Sequence, residues 1–379
     1  MLREVLGSPR PVSRAEVAAS TGLTRATVSA LVEQLLAARL IRELEPVAGQ
    51  RAGRPAVPLT AALDTVVAIG MEINVDYLGV CAIDMAGQVP VERIVHDDFR
   101  RSEPGPVMDR LAQLAGEVVT TLTDRGVAVA GTALALPGLV DSITGPLRLA
   151  PNLGWRDVDV LAHLARHPVL AQVPPWLGNE ANLAAIAEAR ARRVGGPASF
   201  VYVSGEVGIG GAIVLDGTIF GGVHGWSGEI GHVALGTEGS FDRGGQLEEL
   251  AGQDALLDAA GLPRTAAVAA LLDGGERAER ALDRAADALG LALSAVLNIV
   301  DVECVVLGGI YAGLAPRLAP RIRAQLDARV LSAPWSALRI EAAAAGRFPA
   351  MSGGAWAVLE AIADDPEAWV RGDEESAAL

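Results

Sequence analysis

The sequence predicts an α/β protein that opens with a winged helix-turn-helix, and three observations carry that prediction. Capped helical segments with a basic balance mark residues 1–60, strand-like and helix-like segments alternate after them, and 51% of the 379 residues are hydrophobic. A chain of this length and apolar content buries more than one core. No apolar run approaches the roughly 20 residues of a membrane-spanning helix. The opening MLREVLGSPRP also lacks the apolar segment and small-residue cleavage site of a signal peptide, so a cytoplasmic protein without a membrane partner is expected.

Charge is unevenly placed. Residues 1–60 carry eight Arg and five Asp or Glu, a balance of +3, so the chain's net −15 leaves −18 for residues 61–379. The basic end is the surface suited to nucleic acid. Cys81 and Cys304 lie in apolar runs, YLGVCAID and VECVVLGG, and read as inert core thiols.

Ser13-Arg14-Ala15-Glu16 has the form of a capping box, opening a short helix with Val17, Ala18 and Ala19 that stops near Thr21-Gly22. Thr24 then caps a second helix. Val28, Leu31, Val32 and Leu35 recur at the spacing of one buried face, which leaves Arg25, Ala26, Thr27, Ser29 and Ala30 as a short polar set that fits a major groove. RLIREL (39–44) and AVPLT (56–60) read as strands around EPVAGQRAGRP, a wing whose Arg51 and Arg54 suit phosphates or a minor groove. The expected DNA-binding residues are thus Thr24, Arg25, Thr27, Ser29, Arg51 and Arg54. A small helical protein-interaction domain is the alternative for this pattern.

A linker around residues 58–64 leads into a large domain, 61–379. VVAIGMEI, YLGVCAID and VPVERIVHDDF predict a three-strand meander, followed by a helix over 107–125, the strand VAVAGTALAL and helices over 181–193 and 280–299. The acidic tail from Asp364 is expected to fray.

Three places in this domain resemble the ROK family of sugar kinases and transcriptional repressors. They are PGLVD (137–141) with APNLGW (150–155), GNEANLAA (178–185), and GGVHGWSGEIGHVAL (221–235) followed by LEEL (247–250). The resemblance covers nearly the whole chain, winged helix included. It implies a two-lobed actin-like (ribonuclease H-like) fold, with lobes over roughly 65–178 plus a C-terminal helix and over 179–345. It also implies that Asn179, Glu180, Glu229, His232 and Glu248 hold a sugar, with Asn152 and Gly138 on the loop that closes over it. Carboxylates, amides and imidazole suit that task because they engage hydroxyls that both donate and accept. Asn179 and Asn182 have a second reading as caps of the helix they precede. Trp155 and Trp226 are divided between a sugar face and the core. His96, His163, His167 and His224 lack comparable company in the sequence and read as surface or packing residues.

The resemblance also shows departures from the family's kinases. IGMEINVDYLGV (69–80) has Glu72, Asn74, Val75 and Asp76 where such a kinase has Asp followed by Gly-Gly-Thr, and SGEVGIGGAI (204–213) has Val207 in place of a threonine. A β-branched wall and a negative charge at a phosphate loop disfavour a triphosphate. Glu180 stands where the kinases have the catalytic Asp of Asn-Asp-Ala-Asn, one methylene longer in reach. The stretch that completes and follows GEIGH, HVALGTEGSFDRGGQLEEL, is shorter than in many family members and contains no cysteine, so their zinc cluster has no counterpart, and neither metal nor cofactor is expected. The expectation is a DNA-binding repressor, not an enzyme, that answers to a sugar effector and binds operator DNA as a homodimer or homotetramer. Two alternatives are an active sugar kinase with an appended helix-turn-helix, and a regulator with a vestigial sugar site controlled by a protein.

Overall fold

The computed structural model describes residues 1–46, 57–141, 145–236 and 245–370. Its N-terminal head runs α1 (Leu2–Gly7), β1 (Val12–Ser13), α2 (Arg14–Thr21), α3 (Arg25–Ala37), β2 (Ile41–Glu43) and β3 (Pro58–Ala61). Local chemistry sets these boundaries. The Ser13 hydroxyl accepts from the Glu16 N–H while the Glu16 carboxylate takes the Ser13 N–H at 2.8 Å, and Gly22 at φ 71° ends α2. Thr24 Oγ1 caps α3 by accepting from Thr27 N at 3.2 Å, and Val28, Val32 and Leu35 form its buried face. The small sheet has the order β1-β3-β2, so Pro58–Ala61, expected within the linker, is its central strand. Arg51 and Arg54 of the expected wing lie outside the described residues.

Two larger sheets follow. The first contains β4 (Val66–Ile73), β5 (Tyr77–Asp84), β6 (Val91–His96), β7 (Ala128–Leu136) and β11 (Pro175–Asn179), with α4 (Pro104–Asp124) between β6 and β7. Between β7 and β11 lie a separate antiparallel sheet, β8 (Leu139–Val140), β9 (Leu147–Ala150) and β10 (Trp155–Val158), and two short helices, α5 (Val160–Leu164) and α6 (Pro168–Gln172). After α7 (Glu180–Ala191) comes the second sheet, made of β12 (Phe200–Gly205), β13 (Ile209–Leu215), β14 (Thr218–Ile219), β15 (Cys304–Gly309) and β16 (Arg339–Ala342). Its connections hold α8 (Leu247–Ala251), α9 (Gln253–Ala260), α10 (Gly275–Val300) and α11 (Ile310–Arg329), and α12 (Pro349–Asp364) returns to the first sheet.

The two sheets share one topology. Numbered by its own strands, each has the order 3-2-1-4-5, with an antiparallel meander and then two parallel strands reached through helical crossovers. The first hairpin of one sheet, β4–β5, therefore corresponds to the first hairpin of the other, β12–β13. Every residue of β4 is buried, as expected of a strand covered on both faces.

Close backbone approach fixes α12. A Cβ on Gly70 of β4 would lie 1.8 Å from the Met351 carbonyl oxygen, and one on Gly353 would lie 1.8 Å from that of Leu183 in α7. The outer side of α12 shares a core with the head, in which Leu2, Val5, Val17 and Val28 join Val66, Ala68, Met351 and Leu359. Residues 366–370 form a further helical turn, with Trp369 and Val370 packed on the same core, so the fraying expected from Asp364 does not hold there.

Candidate functional site

The tips of the two equivalent hairpins meet across the cleft between the lobes. Asn74 Nδ2 donates to Glu206 Oε2 at 2.8 Å and to Glu72 Oε1 at 3.2 Å, and the Met351 N–H opening α12 donates to Glu72 Oε2 at 3.2 Å. A cavity of about 530 Å³ opens beside this junction, lined by Glu72, Asp76, Glu180, Glu206 and Phe348 among others. Burial, and next the Glu206 charge, push the Glu72 carboxyl up to about 7 against hydrogen bonds from Tyr77, Asn74 and Met351. Asp76 is raised mainly by burial, although Arg100 lies 3.8 Å away. Burial also raises Glu206, and the Asn74 hydrogen bond opposes it. Val75 points inward and is 5% exposed.

Glu180 links this cavity to the residues expected to hold a sugar. Its carboxyl is raised well above the usual range by burial and then by Glu206, Glu72, Glu229 and Glu248, which places it among four other acids. Glu229 precedes a single 3-10 turn, Ile230–His232; burial raises it, His232 opposes that rise, and Glu248 adds to it. His232 Nδ1 lies 3.2 Å from Gln246 Oε1. An Nδ1–H donating to that oxygen leaves Nε2 as an acceptor for a hydroxyl. Gln246, fourteen residues away in sequence, is the orienting partner that the sequence alone did not reveal.

Glu248 Oε2 accepts from Ile209 N at 3.0 Å. A Cβ on Gly208 would lie 2.7 Å from that oxygen and 3.0 Å from Asn152 Nδ2, so the two side chains approach each other over a position that only glycine leaves open. Gly138, at φ 87°, offers its carbonyl to Asn179 Nδ2 at 2.9 Å. Asn179 Oδ1 accepts from Ala181 N and Asn182 N, so the amide of Asn179 is committed to capping α7 and holding the Gly138 loop. Trp155 is a core residue, 2% exposed, with its indole N–H on Ser102 O at 2.8 Å. Trp226 instead spans the lobes, donating to Val140 O at 3.0 Å. The segment 221–229 is thereby tied to the sheet that carries Gly138 and Asn152.

On the head, Thr24, Arg25, Thr27 and Ser29 are all exposed on the first turns of α3. Thr24 Oγ1 also lies 2.8 Å from Thr27 Oγ1, so this pair orders its own surface. One reading of the histidines needs correction. His163 and His167 do have company in the fold, because both meet Asp109, 54 and 58 residues away in sequence. None of the three lines the cleft cavity.

The family model described as "ROK family" matches residues 68–361. The chain belongs to the ROK family. Among its ROK relatives, the xylose repressor of Bacillus spizizenii is 27% identical over 341 residues, covering 87% of this chain and 86% of the repressor. Kanosamine kinase of Amycolatopsis mediterranei is 31% identical over 254 residues, 65% of this chain and 82% of the kinase. The crystal structure of a ROK family transcriptional regulator, a homolog of the E. coli MLC protein, aligns with a TM-score of 0.77 at 24% identity over 96% of this chain and 95% of its own. ROK hexokinase from Thermus thermophilus aligns with a TM-score of 0.62 at 26% identity, covering 79% of this chain and 99% of the hexokinase. The α/β fold is thus the two-lobed actin-like fold of ROK proteins, preceded by a helix-turn-helix head. No helix among the described residues is long and apolar enough to cross a membrane.

Proposed function

We propose that this chain is a sugar-responsive transcriptional repressor whose head binds operator DNA and whose two-lobed domain reads the effector. The observation that carries this reading is the course of α12. Its first turn donates Met351 N–H to Glu72 in the cleft, and its outer side shares a core with α1, α2 and α3 of the head. A rearrangement at the cleft therefore has a rigid element through which to bias the head. The match to xylose repressors over most of both chains favours the same reading.

Glu180, Glu229, His232, Glu248 and Asn152 take the role of sugar ligands, and Asn179 and Gly138 hold the loop around them. Thr24, Arg25, Thr27 and Ser29 read the operator, and Arg51 and Arg54 contact its backbone. Phosphoryl transfer is not part of this reading. A triphosphate in the cavity meets the carboxylates of Glu72, Asp76 and Glu206, and the Asn74–Glu206 contact occupies the meeting point of the hairpins. The acting species is a homo-oligomer, since two heads are needed to occupy two half-sites.

The test is a paired one. Operator affinity is measured with and without sugar, using a panel of pentoses and hexoses, for the wild type and for Glu229→Ala and His232→Ala. Each variant is expected to bind DNA as the wild type does and to lose at least about tenfold in sugar affinity, following a cost of roughly 1–3 kcal/mol per unpaired buried group. DNA release by sugar that survives both substitutions removes the effector site from these residues. Turnover of Mg-ATP with any sugar of the panel restores the kinase reading.

A further inference from the structure

Asp109 on α4, His163 on α5 and His167, which caps α6, converge on one point of the first lobe. Nε2 of His163 lies 2.8 Å and Nε2 of His167 2.9 Å from the same oxygen, Asp109 Oδ1, and the three ligand atoms lie within 4.8 Å of one another. The rings stand 6.1 Å apart at 38°. The histidine side chains are 16% and 30% exposed, against 58% for Asp109, so the imidazoles are walled in and the carboxylate side is open to solvent. Neither the sugar residues nor the cleft uses this cluster.

We propose that it is a binding site for a divalent transition-metal ion of the zinc class. Two imidazole nitrogens and one carboxylate oxygen are a ligand set that suits zinc, with a fourth position left to water. Bonds of about 2.0–2.2 Å in a tetrahedron separate ligand atoms by roughly 3.3 Å. The observed 2.8 and 2.9 Å separations therefore open by only about half an ångström, within reach of side-chain rotation on an exposed aspartate. Without the ion, an N–H on each Nε2 holds the three groups together. Binding the ion requires that proton to leave Nε2, so each ring takes its Nδ1–H tautomer or loses a proton to solvent.

Placement gives the ion a task. The helix that carries His163, α5, follows β10, and β10 pairs with β9, whose last residue, Ala150, precedes the Asn152 turn. Metal here fastens that segment to α4. The experiment uses the full-length, tag-free protein after chelator treatment, titrated with Co²⁺ and with Zn²⁺. One equivalent of Co²⁺ is expected to give visible ligand-field absorption, to be displaced by Zn²⁺, and to raise the thermal midpoint. Asp109→Asn, which keeps an acceptor oxygen for the histidines, and His167→Gln are each expected to weaken binding at least tenfold while melting like the metal-free wild type. Asp109→Asn serves as the folding control, since the hydrogen-bonded clasp survives it. Absence of binding to the wild type at millimolar Co²⁺, or wild-type affinity in either variant, overturns the assignment.

Discussion

Glu72 is a carboxylate that the fold prefers to keep protonated. Its pKa rises from an ordinary 4.5 to about 7 because burial and Glu206 outweigh the hydrogen bonds it receives. The folded state then holds a proton that the unfolded chain releases, so the contribution of Glu72 is fully present below about 4.5 and is lost as pH rises through about 7. At about 1.4 kcal/mol per pH unit, the loss is on the order of 3 kcal/mol. Glu72→Gln, which cannot ionise, is expected to gain on the wild type by that order between pH 5 and pH 8, as read from denaturant midpoints. A difference that stays flat across this range removes Glu72 as the source. The residue was legible in the sequence as the acid of the segment set against the kinases' first phosphate loop, but its state was not. That state depends first on burial and then on Glu206, which lies 134 positions away within a glycine-rich stretch that reads as a plain hairpin. Asp109 escaped notice for the same reason, although His163-Leu-Ala-Arg-His167 has the spacing of two ligands on one helical face.

At the scale of elements, signals carried within a few residues were legible and packing was not. Capping and period three-to-four placed α2 and α3, and continuous apolar runs placed β4, β5 and β7 to within a residue or two. α1 was missed because six residues without a side-chain cap leave no pattern, and the core it shares with α2, β3 and α12 holds it. That core underlies the coupling proposed for α12, and a comparison of two helical glycines bears on it. Gly116 in α4 has nothing within 4 Å of a built Cβ, so Gly116→Ala is expected to stabilise by about 0.5–1 kcal/mol through backbone entropy. Gly353 in α12 has the same helical preference for alanine, but a Cβ there meets a backbone oxygen at 1.8 Å, which no rotamer relieves. Overpacking of roughly 1–3 kcal/mol outweighs the propensity gain, so Gly353→Ala is expected to destabilise. It is also expected to blunt the response of operator affinity to sugar, since α7, which begins at Glu180, is pushed from α12. Denaturant unfolding of the pair gives the signs, and a stabilised Gly353→Ala removes the close α7–α12 contact from the account.

For the whole molecule, the uneven charge and one apolar patch bear on how two heads are brought to DNA. Half-sites read by recognition helices lie about 34–36 Å apart, one turn of the duplex, so a single head captures only half of the contacts. For the homo-oligomer proposed above, an exposed apolar surface of the second lobe is the candidate for pairing. Ile299, Leu331 and Trp335 are 83%, 82% and 84% exposed; Asn298, beside Ile299, accepts from Leu331 N at 2.8 Å and donates to Arg329 O at 3.0 Å, and the Trp335 N–H donates to the Ser332 carbonyl at 2.9 Å in the turn that follows. Three large apolar side chains in such full contact with water are costly on a monomer, and covering each recovers about 1.5–3 kcal/mol. Charge opposes pairing, because residues 61–379 carry −18, so the patch must overcome repulsion that salt screens. Leu331→Asp with Trp335→Asp is therefore expected to shift the protein to monomer in sedimentation and to weaken operator binding steeply. Sugar affinity is expected to stay unchanged, since none of the residues proposed to hold the sugar belongs to this patch. Raising salt is expected to strengthen self-association of the wild type while weakening its hold on DNA, whose affinity falls with each phosphate contact released. A double variant that sediments and binds operator as the wild type does places the subunit contact on another face.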